Sequence, residues 1–216
     1  MSNSSFSGPV RSKNGFKHYS VNATTGVETE TEIVNSSGEL VADFTPAVET
    51  AEHGAGAIST AFAPRTYRWT EAGVIITQIK FDLTGLGCVG TAANDVIGLP
   101  AGGVAYIGRN VVATNGVIFA AELACIETPG EGTATITGDI DIATNSSGTL
   151  EYDGAAGAGK MINGGTLVAG QSVANAVPAL TANDYYYIVE ADTAATTGVY
   201  NAGQFILTTY GHALMT

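Results

Sequence analysis

Residues 74–83 read VIITQIKFDL, and their alternation decides the fold class. Ile75, Ile79, Phe81 and Leu83 fall on one side of an extended chain, and Gln78, Lys80 and Asp82 on the other. That is the period of two a half-buried strand requires. Residues 116–127, GVIFAAELACIE, follow an Asn115-Gly116 turn signal. Val117, Phe119, Leu123 and Cys125 are expected to share one face, with Ile118, Glu122 and Ile126 on the other. Both faces are largely apolar, which predicts a central strand covered on both sides. Residues 133–143, TATITGDIDIA, alternate again, with Ala134, Ile136, Ile140 and Ile142 predicted inward and Asp139 and Asp141 outward.

Residues 184–191, with the triplet Tyr185-Tyr186-Tyr187, and residues 204–210 read as two further strands. Most of the 28 glycines fall between such runs. Many strands, glycine-rich turns and no long amphipathic helix predict an all-β body of the sandwich or jelly-roll kind. Residues 143–183 are small, polar and glycine-rich. They read as a long loop insertion with short strands, one at 166–169.

The N-terminal part differs. Residues 1–30 are rich in Ser, Asn, Gly and Thr, with turn signals at Gly8-Pro9 and Asn14-Gly15 and no sustained period. They read as an extended arm, and residues 31–216 as the β-rich body. Aromatic and aliphatic residues dot the arm, where a disordered tail would have fewer. Phe6, Val10, Phe16 and Tyr19, with the cations Arg11, Lys13 and Lys17, are therefore the candidate partner-binding residues. The alternative is an arm folded back as an edge strand. Short strands are expected at 31–35 and 39–44, and two turns of helix begin at Thr45-Pro46.

Charged residues make up 13% of the chain against roughly 25% in an average domain. A surface of Thr, Asn, Ser and Gly loses little side-chain entropy when packed against a neighbour. The net charge is -12. From Asp82 onward only Arg109 and Lys160 are basic, against twelve Asp and Glu. Nucleic-acid binding needs clustered Lys and Arg, so it is excluded as an expectation. No apolar run reaches 18 residues, and the opening MSNSSFSGPV has no secretory h-region. Neither a membrane partner nor secretion is expected, and synthesis in a cytoplasm is. Cys88 and Cys125 read as two small buried hydrophobes.

Candidate chemical motifs each lack a part. Residues 154–161, GAAGAGKM, stop one hydroxyl short of a phosphate-binding loop, and INGG cannot start the helix that such a loop needs. Gly85, Gly87 and Gly90 have dinucleotide-fold spacing, but Pro100 and further glycines break up the helix that must follow. Asp139 and Asp141 share a face and, with Glu151 or Asp153, have the oxygen chemistry of Ca²⁺ ligands. Solvated carboxylates are the expected role. His18, His53 and His212 lie far apart and form no zinc or nucleophile motif. Tyr185–Tyr187 alternate across a strand, so packing is expected rather than a sugar platform. No catalytic residue, metal site or cofactor is assigned.

Three segments, FSGPVRSKNGF (6–16), DVIGLPAGGVAYIGR (95–109) and ADTAATTGVYNAGQFILTTYGH (191–212), resemble small virion structural proteins of tailed bacteriophages, especially marine and cyanobacterial ones. The similarity runs from residue 6 to about 212. The resemblance implies a head-decoration (cement) protein on the capsid surface, or a related head or tail accessory. It implies a homo-oligomer, often a trimer, that clamps subunits of the major capsid protein. It brings no catalytic residues. A fibre, collar or adhesin-like module that recognises a surface glycan or another virion protein is the alternative.

Overall fold

The computed structural model describes residues 16–21, 28–34, 52–89, 94–131, 138–157, 159–177, 180–190 and 197–213. The chain divides into two units, Met1–Thr45 and Pro46–Thr216. In the first, strands β1 (Phe16–Val21) and β2 (Glu28–Val34) form an antiparallel pair, with Lys17 opposite Glu32 and Tyr19 opposite Glu30. Part of the stretch read as an aperiodic arm is thus a paired ribbon, and the expected limit at residue 30 falls inside β2. The strand expected at 31–35 overlaps the second half of β2, while its first residues, ETET, alternate between two polar residue types, so no apolar period announces them. The expected strand at 39–44 and most of the helix begun at Thr45 lie outside the described residues, as do Phe6, Val10, Arg11 and Lys13.

The second unit is a sandwich of two antiparallel sheets. Its strands are β3 (Arg65–Glu71), β4 (Val74–Asp82), β5 (Gly87–Cys88), β6 (Tyr106–Arg109), β7 (Val117–Glu131), β8 (Ile140–Asn145), β9 (Lys160–Ile162), β10 (Ser172–Ala176), β11 (Tyr185–Glu190) and β12 (Gly198–His212). One helical turn, α1 (Val112–Asn115), leads into β7. The main sheet runs β10-β7-β12-β4-β3, with β5 beside β12, and the second sheet runs β6-β11-β8-β9. A two-residue turn joins β3 to β4. Its residues Ala72 and Gly73 have φ of 48° and 83°, the left-handed pair that matches strand twist in a tight hairpin.

The core lies between the sheets. Ile79, Phe81, Leu123, Phe205 and Leu207 of the main sheet meet Ile107, Ile140, Ile142, Tyr186 and Ile188 of the second. Phe81 and Phe205, direct cross-strand partners, stack at 5.6 Å. Each such side chain contributes roughly 1.5–3 kcal/mol by leaving water. A smaller cluster covers the back of the second sheet, where Val96, Ala105 and Ala156 from loops pack on Ala143, Tyr187 and Val189. The strand covered on both faces is therefore β11.

This corrects the reading of residues 116–127. On β7, Ile118, Ala121, Leu123 and Cys125 are buried, while Phe119 is 45% and Ile126 48% exposed. The register against β12 slips between Tyr210 and Gly211, whose partners are Ala120 and Ile118. Phe119 is the extra residue of a bulge, and a bulge reverses which alternate side chains point inward. A second correction concerns Asp82 and Asp141. Asp141, expected to be a solvated carboxylate, is 1% exposed, and Asp82, placed on the polar side of its strand, is 1% exposed as well. The Asp82 carboxylate accepts the Thr84 N–H at 2.7 Å, which turns the chain at the strand end. Residues 143–183 supply β9 and β10, an edge strand to each sheet.

The outward side of the main sheet follows from register. Arg65, Lys80, Ile206, Ala124 and Ser172 form one row, and Tyr67, Gln78, Thr208, Glu122 and Ala174 the next. Between them runs the buried inward row of Thr66, Ile79, Leu207 and Leu123.

Candidate functional site

Two recesses open on the second unit. The first lies on the outward side of the main sheet. Phe62, Arg65, Tyr67 and Lys80 line a hollow of about 180 Å³. Phe62 is fixed by a local turn: the Ser59 hydroxyl donates to the Phe62 carbonyl at 2.9 Å and accepts the Phe62 N–H at 3.0 Å. The Lys80 ammonium sits 5.3 Å from the centre of the Phe62 ring. Arg65 and Lys80 are direct cross-strand partners, so two cations stand side by side. Among the described residues no carboxylate lines the hollow.

The second recess holds about 130 Å³ between Glu52, Tyr106, Arg109 and Tyr185. The segment after Glu52 runs along β6, with the Gly54 N–H donating to Tyr106 O and the Gly56 N–H to Val104 O, each at 2.8 Å. A glycine is required at position 54, since a Cβ there would lie 2.0 Å from the Val104 carbonyl oxygen. Arg109 faces Tyr185 across the strand pair, its guanidinium 5.0 Å from the ring centre. Tyr106 meets Tyr185 edge-on at 4.8 Å. Asn110 ties the floor down: its N–H donates to Asp184 O and its carbonyl accepts the Asn183 N–H, both at 2.7 Å. Among the described residues the buried Arg109 Nε meets no hydrogen-bond acceptor. The recess thus gathers a guanidinium, two phenols and the Glu52 carboxylate, which lies 3.9 Å from the Arg68 guanidinium, within one small space.

The motifs singled out in the sequence have other uses. Lys160 of GAAGAGKM belongs to strand β9, and its ammonium pairs with the Asp141 carboxylate. Asp141 also accepts the Gly164 N–H at 2.7 Å. Met161, where a phosphate loop has its hydroxyl, is 2% exposed in the core. Gly87 of the GLGCVG stretch lies in β5, its Cα against the Gly198 carbonyl. Among the described residues no group of three or more His, Cys, Asp and Glu is placed to hold a metal ion. His212 stacks on Phe119 at 6.2 Å, and His53 Nδ1 contacts only the neighbouring Gly54 carbonyl in the hydrogen bonds resolved. Cys88 and Cys125 are free and buried. The Cys88 thiol donates to Glu190, and burial, with that carboxylate, pushes its pKa up.

Of the expected partner-binding residues, Phe16, Lys17 and Tyr19 lie on β1, opposite Val34, Glu32 and Glu30. The Tyr triplet divides as alternation predicts: Tyr186 enters the main core, while Tyr185 and Tyr187 pack on the opposite side. Sequence reasoning did not single out Glu52, Phe62, Arg65, Tyr67, Tyr106 or Arg109 as a site. One signal was present. Arg109 and Lys160 are the only cations after Asp82, and each occupies a specific pairing.

No family model, curated protein or solved structure matches the chain.

Proposed function

We propose that this chain is a non-enzymatic structural protein of a phage particle, a head-decoration protein that packs against other copies of itself and against the major capsid protein. The observation that carries the reading is the outward side of the main sheet. It is five strands wide and, between the Arg65–Lys80 pair on one flank and Glu122 on the other, presents uncharged side chains, among them Ile206, Tyr210, Ala120, Ala124, Ala174 and the exposed Phe119. Its uncharged centre gives up little rotamer freedom when covered, and the charges stand to either side of it. The resemblance of residues 6–16, 95–109 and 191–212 to virion proteins points the same way. The N-terminal unit, with Phe6, Val10, Arg11, Lys13, Phe16, Lys17 and Tyr19, is the part proposed to reach the shell. Light scattering of the purified full chain at micromolar concentration, with immunogold labelling of particles by antibodies against it, tests the proposal. Self-association and label on heads are expected. A stable monomer, or label confined to tail fibres, overturns it.

A second reading, a glycan-binding module, is favoured by the recess of Glu52, Tyr106, Arg109 and Tyr185. Paired donor and acceptor groups beside aromatic rings suit a sugar, which has hydroxyls on its edge and C–H groups on its face. The volume is below the roughly 300 Å³ of ordinary ligand pockets, so it would take one ring. Saturation-transfer NMR with methyl glycosides tests it. Binding abolished by Arg109→Met is expected, and absence of binding across the common hexoses removes the reading.

A further inference from the structure

We propose that Lys80 and Arg65 of one copy receive the Glu122 carboxylate of a second copy, in a two-fold, face-to-face pairing of the main sheet. The inference rests on the self-assembly reading above, names its contact, and replaces the trimer that the resemblance implies with a two-fold pairing.

Three features of the outward face converge on it. The first is the like-charge pair. Arg65 and Lys80 stand directly opposite across β3 and β4. Like charges at that position repel, and the arrangement destabilises an isolated sheet. A chain of net charge -12 with eight basic residues sets two of them here, beside a hollow of about 180 Å³ lined, among the described residues, by no carboxylate. An incoming carboxylate removes the repulsion and gains two charge-assisted hydrogen bonds. Phe62 and Tyr67 wall the hollow and lower the competition from water.

The second feature is Glu122. It is the acid of the adjoining row, opposite Thr208, on the other side of the central strand. Its one hydrogen bond among those resolved is a long one, from the Tyr210 hydroxyl at 3.4 Å. A carboxylate has room for roughly four such bonds.

The third feature is the placement of both groups about β12. The sheet order β10-β7-β12-β4-β3 puts β12 in the middle, with β4 and β7 equidistant from it. The outward side chains of β12 in these two rows and the next, Ile206, Thr208 and Tyr210, carry no charge. A two-fold axis along β12 exchanges β4 with β7. It brings Lys80 of one copy over β7 of the other, one row from Glu122. The same operation makes the reciprocal contact, so two identical ion pairs flank an uncharged centre, as an isologous interface demands. Sheets stacked face to face lie about 10 Å apart, within reach of Lys, Arg and Glu side chains meeting from both sides.

The test is the self-association constant of the full chain by sedimentation velocity, with circular-dichroism melting to show that each variant is folded. The wild type should form a dimer or an even-numbered assembly. Lys80→Glu and Glu122→Lys should each weaken it by about tenfold or more. The double swap, K80E with E122K, should recover most of the loss, because the pair is restored with its signs exchanged. Folded single variants that associate like the wild type, or a double swap no better than either single, overturn the pairing and leave self-assembly standing. A wild-type trimer does the same. A monomeric wild type removes both proposals together.

Discussion

Lys160 and Asp141 meet inside the fold: the ammonium at the edge strand β9 pairs with a carboxylate on β8 whose side chain is 1% exposed. The Gly164 N–H completes the site. A buried pair of this kind is costly to desolvate, and removing one member leaves the other charged and unpaired. Lys160→Met should therefore destabilise the second unit by about 3–5 kcal/mol, read as a lower urea midpoint with an unchanged slope. Lys160→Arg should retain more of the stability than Lys160→Met. An unaltered midpoint for Lys160→Met would show that the pair contributes nothing.

The cysteines should be silent in the folded protein. Cys88 is 0% and Cys125 1% exposed, and burial raises both thiol pKa values, so little thiolate forms at pH 8. Thiol–disulfide exchange requires an accessible thiolate. Ellman's reagent should titrate no thiol in native protein and two after guanidinium denaturation. Rapid native labelling of either residue contradicts this placement.

Stability should fall in alkali. Burial pushes the Tyr187 phenol up to about 12 and raises that of Tyr186 as well. An unfolded tyrosine ionises near pH 10. The folded state holds these protons more tightly, so their contribution is complete below about pH 10 and is lost as pH climbs towards about 12. Thermal midpoints should decline over that window. Tyr187→Phe, which also deletes the 2.7 Å hydrogen bond to Ser147 O, should flatten the decline while costing ~0.5–1.5 kcal/mol at neutral pH.

Gly54→Ala should open the Glu52–Arg109 recess. The added Cβ would lie 2.0 Å from the Val104 carbonyl oxygen, which is backbone and cannot rotate aside. The segment must lift from β6, weakening the Gly54–Tyr106 hydrogen bond. A loss of ~1–3 kcal/mol is expected. Faster amide exchange at Gly54 and Gly56, with the main-sheet amides unchanged, is the signature to look for.

The amino-acid sequence determined the fold class, because burial of one face of an extended chain writes a period of two into the residues themselves. The alternation of 74–83 is local, needs no partner to be read, and agrees with the burial of Ile79 and Phe81. The split of Tyr186 from Tyr187 was legible for the same reason. Which strands are neighbours was not. The last strand, β12, lies in the middle of the main sheet, and its pairing with β4 and β7 joins residues at least 69 positions apart. One bulge at Phe119 was enough to reverse the inward face of β7, since a one-residue slip exchanges the two sides. The same non-local packing turned Asp141 from a solvated carboxylate into a buried one, because its partner Lys160 arrives from another strand. Both recesses belong to this second category. Arg65 meets Lys80, and Glu52 joins Arg109 and Tyr185, only when separate strands and loops close on one another.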